Sequence, residues 1–222
     1  MTEVIFAVLS ISLLLYVLLG GADFGGGIIE LFSKGKAAGI VSEAIAPVWE
    51  ANHVWLILVI VILFVGFPPV YTVILTVLHI PVLLVLIGII LRGSAFTFRH
   101  YDIEEEEPRA IYSIIFRYSS IITTFFLGVS VGAIILGDIT LDYHQGFYAV
   151  YLRPWLNLFC FSLGIFLVLL FAFLANIYML GEAREEVSIK RFARMARYLI
   201  IALVIAGAVV FLTAEFDGQS LF

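Results

Sequence analysis

In the stretch APVWEANHVW, residues 46–55, a carboxylate, an amide and an imidazole (Glu50, Asn52 and His53) stand between Trp49 and Trp55, immediately before the apolar run LILVIVILFVGF. These are proton-handling types: a half-buried carboxylate and an imidazole both change protonation readily, and an amide orients its hydrogen-bonded neighbours. On a helix, Trp49, Asn52 and His53 fall at i, i+3 and i+4 on one face, with Glu50 three residues from His53 on the adjoining one. Pro47 is expected in the first helical turn. Glu50 then sits near a helix N-terminus, where the dipole favours its charge and partial burial opposes it. The cluster is either a polar pair with an interfacial tryptophan belt or a vestibule that admits protons.

A second carboxylate, Asp23, lies within glycines in GGADFGGGIIELF towards the cytoplasmic end of its helix, with Glu30 expected one to two turns deeper into the membrane interface. Gly21 and Gly25 are four apart, a spacing that lets another helix approach closely and turns Asp23 towards protein. Asp23 reads as a hydrogen-bond acceptor in a packing seam or as part of an ion or proton route. Arg92 and Arg99, seven apart, share a helix face. Asp23, Glu30 and Glu50 are the possible partners, with an intraprotein partner expected for Arg92 and snorkelling to lipid phosphates for Arg99. Arg117, about two turns into its helix, is expected to face a carboxylate or a lipid headgroup.

His79 is expected near mid-membrane, two residues before Pro81, where a ring nitrogen can bond a carbonyl freed by the proline. A bis-histidine haem would need a second imidazole at matching depth, and His53 is its only intramembrane candidate, about 5 Å away in depth. Cys160, the single cysteine, lies in an apolar run and reads as a small buried hydrophobe; one cysteine builds neither a disulfide framework nor a cysteine metal site.

The elements that must hold these residues are membrane helices. Of 222 residues, 63% are hydrophobic and 13% charged, which excludes an ordinary soluble domain. Apolar runs bounded by charge, Gly or Pro give six spans, roughly 3–32, 46–67, 69–99, 110–137, 151–180 and 193–215. The class is all-α, a helical bundle forming a single transmembrane domain over 1–222. The N-terminal run lacks a basic leader and reads as a retained first span. Pro68 and Pro69 are expected to join the second and third spans as an antiparallel hairpin.

Lys34 and Lys36 fall in the first connection, Arg92, Arg99 and Arg109 around the third, and Arg184, Lys190, Arg191, Arg194 and Arg197 around the fifth. The positive-inside rule puts these connections in the cytoplasm and both termini outside. The acidic run at 104–107 reads as a solvated loop. No nucleotide-binding glycine loop, serine hydrolase elbow or nucleic-acid patch is present in the sequence, and no complete catalytic centre. Residues alone leave open an independent proton- or ion-coupled transporter, and a b-type cytochrome built on His53 and His79.

Taken in order, GGADFGGG, IAPVWEANHVWLI, the proline hairpin, LRGSAFTFRHYD and LRPWLNLFCFSLG resemble subunit II of cytochrome bd quinol oxidases over essentially the whole chain. The resemblance implies a haem-free subunit packed on a subunit I that carries haem b and haem d and oxidises quinol, in a prokaryotic cytoplasmic membrane. It implies that Glu50 and Asp23 stand on a proton path from the cytoplasm; His53 departs from the family block and either extends that relay or pairs with Glu50. Trp49, Asn52, Arg92 and Glu30 form the supporting polar cluster. A quinone with a structural role also occurs in some members. The family block often reads Trp-Asp-Gly-Asn-Gln, where this chain has Glu50, Ala51 and His53. Typical members are longer, so the chain resembles their N-terminal two-thirds; the expectation is that a small subunit or another polypeptide supplies the remaining helices or that this branch does without them.

Overall fold

The computed structural model describes residues 2–32, 36–101, 106–139, 141, 144 and 146–217, and side chains for all of these except 36–47, 50, 100, 101, 106–109 and 217. Among the described residues every regular element is a helix. In chain order the helices are α1 (Thr2–Phe32), α2 (Lys36–Gly66), α3 (Pro68–Val77), α4 (His79–Tyr101), α5 (Glu106–Leu136), α6 (Gly146–Tyr151), α7 (Leu158–Glu182) and α8 (Glu186–Asp217). Five helices are long and apolar enough to cross a membrane, or six when α2 and α3, bent by 115° at their junction, count as one broken span.

The prolines act differently from the expected hairpin. Phe67, preceding Pro68, takes φ −135° and ψ 56°, outside the helical region that a following proline disfavours, and α2 stops. Pro68 and Pro69 then open α3, where their missing N–H groups cost no helical bond. This ten-residue helix runs across the end of the bundle, and the crossing helix begins only at His79. The two supposed hairpin arms pack mainly on other helices, α2 on α1 and α4 on α5, and meet each other where Trp49 reaches Phe96. α1 also contacts α5 and α7, so it is the central strut, while α8 packs on α7.

Two further boundaries move. α2 starts at Lys36, so Pro47 lies inside it and Glu50 stands almost four turns from the helix N-terminus. The dipole argument for Glu50 therefore loses its basis. The fifth span starts at Leu158 because turns and bends occupy 152–157 and Asn157 caps α7, its side chain accepting from the Cys160 backbone N–H at 2.8 Å. The first two residues of the acidic run at 104–107 lie outside the described residues, and Glu106 opens α5.

Two apolar cores alternate along the bundle. One, around Phe24, Phe96, Phe116 and Phe171, lies towards the arginine-rich end. The other, around Val77, Val129, Trp155 and Cys160, lies towards the opposite end. Cys160 is fully buried there, as its apolar surroundings predict.

Candidate functional site

Close approach of helices creates the site. A Cβ on Gly25 would overlap the Phe171 carbonyl oxygen of α7, and one on Gly27 would overlap the Ser120 hydroxyl of α5. Glycine lets α1 seat against both neighbours, and Asp23 points to a third side.

There the Arg92 guanidinium meets it with nearly all its donors. Nη1 donates to Asp23 Oδ2 at 3.0 Å, and Nη2 donates to Asp23 Oδ1 and, at 2.8 Å, to the Asp23 backbone carbonyl. Nε donates to Ser120 Oγ at 3.1 Å, and that hydroxyl donates to the Phe116 carbonyl at 2.7 Å. From α2, Asn52 Nδ2 donates to Asp23 Oδ2 at 3.1 Å. The guanidinium lies 4.7 Å from the Phe24 ring centroid and 5.0 Å from that of Phe116, so π faces supplement the carboxylate. Asp23 is 0% and Arg92 1% exposed. The bidentate fork is the geometry in which arginine serves better than lysine.

Two turns along, the pattern recurs. Arg99 Nη1 donates to both Glu30 carboxylate oxygens at 2.9 and 2.8 Å, and Arg117 Nε donates to Oε1 at 3.1 Å. Arg99 therefore does not snorkel. Glu30 is 2% exposed, and a carboxylate so buried requires a nearby cation, which Arg99 supplies at 12% exposure. Arg117 faces the carboxylate of its two expected partners and remains 30% exposed. The Asp23–Arg92 and Glu30–Arg99 pairs are each separated by 69 positions. Equal separation at both levels means that α1 and α4 run parallel.

In the tryptophan block, Trp49 lies against Phe96 of α4 at 5.6 Å and edge-on to His53 at 5.1 Å. His53 Nδ1 is 2.8 Å from the Trp49 carbonyl. A carbonyl only accepts, so Nδ1 carries the proton and Nε2 of the neutral ring is left as an acceptor. The Glu50 side chain lies outside those described; its backbone stands two residues before Asn52, about 3 Å of helix rise.

His79 is at the opposite end of the bundle, about 30 Å along α4 from Arg99. Its Nδ1 bonds the Thr76 carbonyl at 2.9 Å and its ring meets Tyr151. The bond goes to a carbonyl, as expected, but to that of Thr76 at the break between α3 and α4 and not to that of Val77, which Pro81 deprives of its helical donor. His79 opens the crossing helix instead of lying midway along it, because α3 takes the first nine residues of the expected span. His53 and His79 thus lack the matched depth of a shared haem iron. Among the described residues, no group of three or more His, Cys, Asp or Glu could hold a metal ion.

Two participants escaped sequence reasoning. Ser120 belongs to a buried hydroxyl face of α5 with Ser119, Thr123 and Thr124, whose i, i+1, i+4, i+5 spacing was a readable signal. Tyr16 is buried within electrostatic reach of Asp23 and Arg92, and nothing in the one-dimensional pattern set it apart from neighbouring apolar residues.

A bundle of long apolar helices, with buried ion pairs joining two parallel ones, defines an integral membrane protein with a polar interior. Residues 1–218 match the family model of cytochrome bd terminal oxidase subunit II, and the chain belongs to that family. It is 31% identical over 116 residues to cytochrome bd ubiquinol oxidase subunit 2 of Bacillus subtilis (strain 168), a match covering 51% of this chain and 34% of that one. The fold also matches a chain in the structure of bd oxidase from Geobacillus thermodenitrificans, with a TM-score of 0.72 and 17% identity. That superposition covers 97% of this chain and 66% of the other. The matches thus span about a third and about two thirds of the two relatives' lengths.

Proposed function

We propose that this chain is the haem-free membrane subunit of a cytochrome bd-type quinol:oxygen oxidoreductase. It supports a haem-bearing subunit I and conducts cytoplasmic protons towards the oxygen-reducing site. The observation that carries this reading is the wholly buried Asp23–Arg92–Asn52 cluster, which ties the Glu50 block of α2 into the interior of a family member. Reduction of oxygen to water takes up protons, and a buried site receives them only along groups that accept and release them.

In this reading Glu50 takes up protons from the arginine-rich side, which faces the cytoplasm, with both termini outside. His53 offers Nε2 as the next acceptor. Asp23 supplies a fixed negative charge that steadies protons passing beside it, held by Arg92 and Asn52. Trp49 locks the His53 ring, and Glu30 with its arginines anchors the cytoplasmic end. Electron transfer and oxygen binding would be supplied by b- and d-type haems in subunit I, and a quinone would bind this subunit with a structural role. The chain acts in a prokaryotic cytoplasmic membrane, in a complex that also holds a small subunit.

The test compares two carboxylates in the assembled complex. Glu50→Ala is expected to slow oxygen consumption about tenfold or more, while Glu105→Ala, in the acidic run, leaves it unchanged. Normal turnover with alanine at 50 in a fully assembled oxidase would remove the proton-path claim.

A further inference from the structure

A groove of about 380 Å³ runs between the end of α1 and the first half of α8. We propose that it binds one anionic phospholipid, with the phosphate held by Arg191 and Arg194 and an acyl chain lying along Met195, Leu199 and Ala202. The site is independent of the proton path and requires only that the chain sit in a membrane.

The lining residues of α8 recur at three- and four-residue intervals from 191 to 202, so they form one stripe of the helix. Its cations come first, and its apolar residues lie up to three turns further along, the order of polar head and acyl tail in a membrane leaflet. Arg191 Nη2 donates to the Phe32 carbonyl at 2.5 Å, at the C-terminal end of α1, where unsatisfied carbonyls carry partial negative charge. That bond uses one of five guanidinium donors and fixes the group in place, leaving the others for a phosphate.

Neither Arg191 nor Arg194 has a carboxylate partner among the described residues. Glu186, the acid in the first turn of α8, bonds Lys190 at 2.6 Å instead. The groove is therefore cationic at one end and apolar along the rest. A free phosphate would gain nothing from Leu199 and Ala202. Among the described residues no carboxylate lines the groove to receive an ammonium headgroup, which selects an anionic lipid over a zwitterionic one.

The test uses the complex purified from its own membrane, delipidated stepwise in mild detergent, and re-equilibrated with phosphatidylglycerol or phosphatidylcholine. Bound lipid is counted by native mass spectrometry. Retention of phosphatidylglycerol at least about tenfold above phosphatidylcholine is expected. Arg191→Gln/Arg194→Gln should abolish that preference, and Arg153→Gln, an exposed arginine at the other end of the bundle, should keep it. Leu199→Trp fills the groove without touching its charge and should also displace the lipid, so the claim stays testable if the double variant does not assemble. Equal retention of both lipids, displacement by inorganic phosphate alone, or a bound quinone in place of lipid would overturn the assignment.

Discussion

The Arg92 guanidinium donates to a carboxylate, a backbone carbonyl and a hydroxyl while two phenyl rings flank it, so no single substitution can remove it cleanly. Arg92→Met leaves Asp23 as a buried, uncompensated charge, and a loss of about 3–5 kcal/mol is expected. It should appear as a lowered thermal midpoint or reduced yield of assembled complex. The neutral pair Asp23→Asn/Arg92→Gln should recover much of that stability while turnover remains low, which separates the proton role from the structural one. Asp23 was legible in the sequence because a carboxylate among apolar residues demands a partner. Its partner was only narrowed, since which arginine lies opposite depends on helix register. Arg99 was misjudged for a related reason: Glu30 looked interfacial, where water would satisfy it, whereas α4 and α5 bury it.

At the scale of the helices, the seam between α1 and α7 rests on glycine. Gly25→Leu is expected to push α1 off Phe171 and cost about 1–3 kcal/mol or more, seen as heat-labile assembly. Gly181→Ala, in α7 with open space around it, should be neutral or slightly stabilising in the same assay. The crossing helices were legible because a bilayer demands long apolar runs, and six such runs were present. The 115° bend was not. Apolar residues dominate on both sides of Leu78, so mean hydropathy alone does not place the break between α3 and α4, although Thr76, His79 and Pro81 flank it. The start of α2 was set too late because Pro47 resembled a helix opening, although the helix runs through it.

For the whole molecule, the mismatch in depth between His53 and His79 bears on the haem-free reading. The purified chain, separated from its partners, is expected to lack a Soret band; a band at stoichiometric intensity would assign haem to this subunit. A further consequence follows from the two ion pairs that tie α1 to α4 across 69 positions. Until α4 emerges from the ribosome, Asp23 and Glu30 face the membrane interior with no cation from that helix, and Arg92 is equally costly to insert alone. Sliding α4 by one turn would break both pairs together. Insertion of α1 is thus completed by a helix made much later, and synthesis becomes a timed step. A chain cut after Gly66 should be degraded rapidly in a pulse-chase experiment, whereas one extended through Leu136 should persist.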